Sequence, residues 1–202
     1  MAVRPLWANL SRMSANLSFA LFETAIGSCG IVWTGRGIYA VQLPENSAAA
    51  THARVRRRYP SARETEPPAA IGHAIDEIVA LLRGEKRDLR HIAIDDSDTP
   101  DFNRRVYAIA RAIPPGGTMT YGEVAERLGD KALARAVGQA LGENPCPILM
   151  PCHRVLAADG KTGGFSAPGG IVTKLKLLSI EGAQPGGPGL FDALPLVAAP
   201  RR

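Results

Sequence analysis

The residues best suited to chemistry are Cys152 and its immediate neighbours, His153 and Arg154. A cysteine is nucleophilic only as the thiolate, and an adjoining imidazole or guanidinium is what ordinarily lowers its pKa. Prolines at 145, 147 and 151 keep the preceding stretch out of a helix interior, so an extended, stiff approach to the sulfur is expected. Taken alone, the pair permits a second reading. Adjacent side chains need not touch, and a buried cysteine can be no more than a small hydrophobe. The remaining cysteines, Cys29 and Cys146, make an odd, sparse set without Cys-x-x-Cys spacing. That argues against a disulfide scaffold and against structural zinc, since Cys29 has only the scattered His52, His73 and His91 for company, and it favours a reducing, cytoplasmic setting.

The elements that must position these residues can be read in outline. A chain of 202 residues, 46% hydrophobic, can bury one large core or two small ones. No apolar run reaches the length of a membrane-spanning helix, so no membrane association is expected. Residues 1–17 read as a flexible extension, within which Met13 is an alternative start. Residues 18–43 alternate apolar and polar side chains between glycines, a meander of two or three antiparallel strands. A short helix is expected up to Arg58, carrying a local cluster of arginines, and a second from Ala69 to Arg83, ended by Gly84. His91–Ile94 reads as a short returning strand. These elements make a small α/β support domain over residues 18–95, bounded by the acidic, proline-closed stretch Asp95–Pro100.

The second domain, residues 96–182, reads as mainly helical, so the whole is of α/β (α+β) class. A helix is expected from Asp101 to Ile113. Thr120 and Glu123 have capping-box spacing at the start of a helix reaching Leu128. A second short helix should run from Leu133 to Leu141, the two forming a helix-turn-helix. Its small residues, Ala134, Ala136 and Gly138, leave little bulk around Arg135, so the backbone could approach a partner closely. After Val155 a hairpin with an Asp159-Gly160 turn is expected, then a glycine-rich loop over residues 163–170 and a helix from Ile171 to Ile180. Residues 183–202 read as a flexible tail.

Pro151-Cys-His-Arg-Val155, preceded by Ile113-Pro-Pro-Gly-Gly-Thr118, Thr120-Tyr-Gly-Glu-Val-Ala125, Arg135-Ala-Val-Gly138 and Asn144-Pro145, resembles the O6-alkylguanine-DNA alkyltransferase (methylated-DNA–protein-cysteine methyltransferase) family. Gly163-Gly-Phe165, Lys174 and Leu177-Leu-Ser-Ile-Glu-Gly182 continue the same order. The resemblance covers about residues 99–182 and implies a ribonuclease-H-like amino-terminal domain and a winged-helix-like carboxy-terminal one. It implies single-turnover DNA repair, with the alkyl group of O6-alkylguanine (and of O4-alkylthymine as a related base) passing irreversibly to Cys152, without cofactor or metal. Further implied roles are His153 as base, Glu181 orienting it, Tyr121 donating to the departing guanine, and Asn144 at the hinge before the active-site loop. Arg135 would fill the stack left by a flipped base, with Ala134, Ala136, Gly138, Thr120 and Arg154 on the DNA side. Phe165, Ser166, Met150 and Tyr121 would line the base and alkyl pocket. The implied partner is double-stranded DNA bound through its minor groove by a monomer.

Net charge is +5 overall, with an excess of three positive charges between residues 99 and 182, so DNA binding should be modest and salt-sensitive. One departure stands out. Where relatives have Gly-x-aromatic-x-Gly-Gly, this chain reads Gly163-Gly-Phe-Ser-Ala-Pro-Gly-Gly170, two residues longer, and a change in the adducts accepted is expected from it. Two other readings stay open. A non-catalytic alkylated-base sensor would carry tryptophan at the position of Cys152, and a cysteine hydrolase would turn over without DNA.

Overall fold

The computed structural model describes residues 16–158 and 161–183. The amino-terminal strands form as the alternation requires: β1 (Ser18–Thr24), β2 (Gly27–Thr34) and β3 (Gly37–Gln42) make an antiparallel meander. A two-residue strand, β4 (Arg63–Glu64), adds parallel to β1, giving the order β3-β2-β1-β4. β2 is buried along nearly its whole length because both faces of the sheet are covered. On one face Phe19, Val32 and Ala40 pack against Val55 of α1 (Ala48–Arg58) and Tyr59. On the other, Ile31, Trp33 and Val41 meet Ile71, Ala74 and Ile78 of α2 (Ala69–Leu82).

The expected strand at 91–94 does not form. Asp88 accepts a hydrogen bond from the Arg90 amide and turns the chain into a 3-10 turn, Leu89–His91. Only a single parallel bridge survives, Ile38 with Ile94, in which Ile38 donates to Ala93 and accepts from Asp95. Asp95 is then buried, held by the Thr34 hydroxyl and the Arg36 guanidinium, and Tyr39 bonds Asp98. The acidic connection is thereby tied to the β2–β3 turn along much of its length.

In the carboxy-terminal half, α3 (Asp101–Arg111) leads to a short strand β5 (Met119–Thr120) and to α4 (Tyr121–Arg127). The capping box forms as expected: Thr120 Oγ1 accepts from the Glu123 amide, and the Glu123 carboxylate accepts from the Thr120 amide. Such a cap contributes about 1 kcal/mol. A 3-10 turn, Lys131–Leu133, joins α4 to α5 (Ala134–Gly142), completing the helix-turn-helix. β6 (Val155–Leu156) pairs parallel with β5, so its partner strand comes from in front of α4 and not from a hairpin return. The chain does fold back after it, Ala157 donating to Lys161, while Asp159 and Gly160 lie outside the described residues. α6 (Gly170–Ile180) closes the domain; the expected tail beyond Ala183 and most of the 1–17 extension also lie outside them.

The two halves share one core. Ile38, Val41 and Ile78 belong to the same apolar cluster as Val106, Tyr107, Leu149 and Met150. The close approach at Gly37 is one point on which this arrangement depends. Its φ is +143°, and a Cβ there would stand 2.7 Å from the carbonyl oxygen of Ala93. Gly37→Ala is therefore expected to lower the unfolding free energy by about 2 kcal/mol. The measurement is a reduced urea midpoint with an unchanged m value.

Candidate active site

Cys152 opens a 3-10 turn, Cys152–Arg154, reached through a compact series of turns over 144–150. The prolines do not produce the extended approach expected from them. Asn144 organises the segment: its Oδ1 accepts from the Cys146 amide at 2.9 Å and its Nδ2 donates to the Met150 carbonyl at 2.6 Å. Within the loop so closed, Ile148 takes φ = +77°, the one non-glycine residue with positive φ among those described. For a β-branched residue this conformation costs about 1–3 kcal/mol. It is offset by burial of Ile148 and by a hydrogen bond from the Val41 amide of β3 to the Pro145 carbonyl.

Cys152 lines a cleft of about 970 Å³, near the upper end of the ~300–1,000 Å³ usual for ligand sites. Tyr121 from α4, Ala134, Arg135 and Gly138 from α5, and Phe165 and Ser166 from the glycine-rich loop face the same space. The Ser166 hydroxyl donates to the Gly142 carbonyl, which ties the loop to the end of α5. Gly163 is required by close approach, since a Cβ there would stand 2.9 Å from the Tyr121 ring. At Gly138 a Cβ would make only ordinary contact with that ring, at 3.8 Å. Ala136 is half-buried on the same helix, and the Thr120 hydroxyl, half-buried, is engaged by the capping box.

Behind the cleft, His153 Nε2 lies 3.0 Å from Glu181 Oε1, and both side chains are almost wholly buried. Arg154, expected on the DNA side, does not line the cleft. It is buried, donates Nε and Nη2 to the two oxygens of Glu181 at 2.8 Å each, and donates Nη1 to the Ile113 carbonyl. The expectation placed a charge on the surface that the fold uses to neutralise a buried carboxylate. Met150 is likewise not a pocket residue: it is 2% exposed, does not line the cleft, and contributes its carbonyl to Asn144.

The electrostatics follow. Burial pushes the Glu181 carboxyl up, but the hydrogen bonds and charges of His153 and Arg154 outweigh it and hold the group down at about 2. An ionised Glu181 only accepts, so His153 must carry its proton on Nε2, leaving Nδ1 as a lone-pair acceptor. Nδ1 is buried without a protein partner. Burial, helped by the charges of Arg154 and Lys174, lowers the His153 pKa despite Glu181. Burial also raises the Cys152 thiol, against the opposing pull of the Asn144 amide and the Lys174 charge. The sequence expectation that His153 and Arg154 would depress the thiol therefore fails, because both side chains turn away to Glu181.

The chain as a whole is similar to known proteins. Residues 101–183 match the family described as 6-O-methylguanine DNA methyltransferase, DNA binding domain. The methylated-DNA–protein-cysteine methyltransferase of Methanothermobacter thermautotrophicus is 35% identical over 153 residues, 76% of this chain and 78% of that protein. The chain belongs to the methylated-DNA–protein-cysteine methyltransferase family. The Mycobacterium bovis methyltransferase is 41% identical over 63% of this chain and 76% of its own length. A crystal structure of Mycobacterium tuberculosis OGT in complex with DNA superposes with a TM-score of 0.64, at 32% identity, covering 82% of this chain and 93% of that one.

Lys174 is a residue of this methyltransferase site to which sequence reasoning assigned no role. It is fully buried, donates to the Val155 carbonyl at 2.7 Å, and sits 5.8 Å from the centroid of the Tyr121 ring. Burial lowers its pKa to about 8, the negative charge available at Cys152 acting the other way. Its signal was present: Lys174 shares one helical face with Leu177 and Leu178, an apolar face on which a lysine is out of place.

The depressed Glu181 pKa carries a pH signature. Its folded value of about 2 lies below the ordinary 4.5, so as pH falls the unfolded chain takes the proton first. The resulting stabilisation, on the order of 3 kcal/mol, is complete above the unfolded value and disappears as pH drops through the folded one. Glu181→Gln should lower stability near neutral pH and flatten this acid limb. Denaturant melts repeated from neutral pH down to about pH 3 would read both effects.

Proposed function

We infer that this chain repairs alkylated DNA by direct reversal, as a DNA-binding methyltransferase whose acceptor is its own Cys152. The observation that carries the reading is the placement of one sulfur at a cleft large enough to admit an extruded base, with Arg135 on its α5 wall and the His153–Glu181 pair behind. The lesion we assign is O6-alkylguanine in a duplex, approached by a monomer from the minor groove. There the small residues of α5 permit contact and Arg135 can occupy the space of the extruded nucleotide. Residues 18–95 serve as support and residues 96–182 carry the chemistry.

In the step proposed, the Cys152 sulfur attacks the alkyl carbon in line with O6. The S–C bond forms as the C–O6 bond breaks, and guanine leaves with the electron pair. The thiol proton passes to His153 Nδ1; the absence of a direct sulfur–imidazole hydrogen bond and the unpartnered, buried Nδ1 support relay through one water. Glu181 stabilises the imidazolium, and Lys174 stabilises the thiolate. Tyr121, whose phenol is held protonated by burial, donates to the guanine. The thioether has no route back, so each molecule acts once. The sensor reading is not favoured, since a cysteine is present at position 152, nor is a hydrolase, since the relatives are methylated-DNA–protein-cysteine methyltransferases.

Intact-mass spectrometry after incubation with an O6-methylguanine duplex should show a gain of one methylene on Cys152 and no further turnover. Cys152→Ala should show no gain while retaining duplex affinity. Label mapped to Cys146, whose thiol burial pushes up to about 12, would refute the assignment. Arg135→Ala should slow repair in a duplex by about tenfold or more, because unstacking costs a few kcal/mol and each 1.4 kcal/mol is tenfold in rate. Reaction with free O6-benzylguanine, which needs no flipping, should change little; equal losses on both substrates would count against a stack-filling role.

A further inference from the structure

A second cavity, of about 270 Å³, shares no lining residue with the cleft at Cys152. Pro151 and Arg154 form part of its wall, so the Cys152–Arg154 turn separates the two spaces. Much of the rest is apolar, with Ile113, Ile148 and Leu149 among the lining side chains. The charged lining consists of Arg87, Arg90, Arg111 and Arg154 against a single acid, Asp88.

Three of these cations are already matched. Arg87 pairs with Glu85 at 2.6 Å and lies 3.7 Å from Glu77, while Arg90 donates to both oxygens of Asp88. Arg154 is held by Glu181. Arg111 is the exception, forming no ion pair with a carboxylate among the described residues. Its Nη2 donates instead to the carbonyls of Leu89, Arg90 and Ile92, at 3.4, 2.9 and 3.0 Å. Its Nε is buried without a protein partner, a donor still to be met. Burial lowers its pKa, the sign expected of a cation drawn partly out of water.

One unmatched cation beside an apolar surface calls for a ligand with one negative charge and an apolar body. A guanidinium suits the two oxygens of a carboxylate. The volume sets the size. An apolar cavity of about 150 Å³ holds a benzene ring, so 270 Å³ admits one ring with its carboxylate and little more.

We propose that this cavity is a binding site for a small monocarboxylate, its carboxylate on Arg111 and its apolar body against Ile113, Ile148 and Leu149. The walls belong to three segments: the turn at Asp88, the end of α3, and the loop before Cys152. A ligand there joins them and stabilises the folded chain by mass action. This binding is independent of the acceptor role of Cys152.

The test uses benzoate as the probe on the full chain. Benzamide, the same shape without the charge, and acetate, the charge without the ring, are the comparators at matched chloride. Two-dimensional NMR of isotope-labelled protein should show benzoate saturating with a Kd of about 1 mM, the scale for a ligand of about nine non-hydrogen atoms. The shifts should concentrate on residues 87–92, 111–115 and 148–151. Benzamide and acetate should bind about tenfold more weakly or worse, and Arg111→Gln should weaken benzoate equally, the scale of a charge-assisted hydrogen bond. Because Arg111 also holds three carbonyls, a second variant guards against misfolding. Ala112→Trp, at an exposed position that lines the cavity, should weaken benzoate binding about tenfold or more and leave methyl transfer unchanged. Shifts confined to the cleft residues Tyr121, Arg135 and Ser166 overturn the proposal. So does benzamide binding as tightly as benzoate, which would make the cavity an apolar void alone, and so does a failure of benzoate to saturate. A chain that transfers methyl yet fails these tests loses this site only; one that binds benzoate but transfers no methyl loses the acceptor reading only.

Discussion

A carboxylate in a protein interior costs several kcal/mol unless its charge and lone pairs are met, and the burial of Glu181 is the constraint around which this site is arranged. The residue ends α6, while its partners His153 and Arg154 belong to the turn that begins with Cys152. Satisfying the carboxylate therefore fixes where the helix ends relative to Cys152. The contact of Arg154 with the Ile113 carbonyl extends the clamp to the end of α3. The same interaction selects the His153 tautomer, so the atom left to accept a proton is determined by a residue nearly thirty positions away in sequence. Because Arg154 takes both oxygens, Glu181 cannot spend its whole charge on the imidazole. Burial, with the charge of Arg154 adding to it, lowers the His153 pKa despite Glu181.

Desolvation sets the resting state of the Cys152 thiol. Burial is the main cause that raises all three thiols: Cys29 and Cys146 rise to about 12, and Cys152 is also raised. What separates Cys152 is its company, a buried ammonium at Lys174 and the Asn144 amide, together with a face on an open cleft. A thiol kept protonated until a base is in place is a poor target for oxidants and stray electrophiles.

The amino-terminal half bears on the geometry of the Cys152 sulfur. The Val41 amide holds the Pro145 carbonyl, and Cys146 Sγ lies 4.0 Å from the Ile38 carbonyl. These contacts brace a loop that must accommodate Ile148 at positive φ. The continuity of the apolar core across residues 95–100 gives the brace its stiffness.

Periodicity and capping chemistry made most elements legible in the chain: the three-stranded meander, the helices from Ala48, Ala69, Asp101 and Gly170, and the capped Tyr121 helix all depend on near neighbours. The Glu181 partner of His153 was readable only through the ordered motifs, because residue type and spacing do not say which side chains meet. Local signals also misled where a distant group competed. Asn144 curled a proline-rich stretch that reads as extended, Asp88 turned the residues before a strand, and β5 took the strand that reads as half of a hairpin. Arg154 and Lys174 are the sharpest cases. Both are long cations that reach solvent in most proteins, and nothing within four residues of Arg154 in sequence announces a buried carboxylate. Their roles were decided by which charges the fold removes from water, a long-range electrostatic outcome that exists only once Glu181, His153 and Cys152 have been packed together.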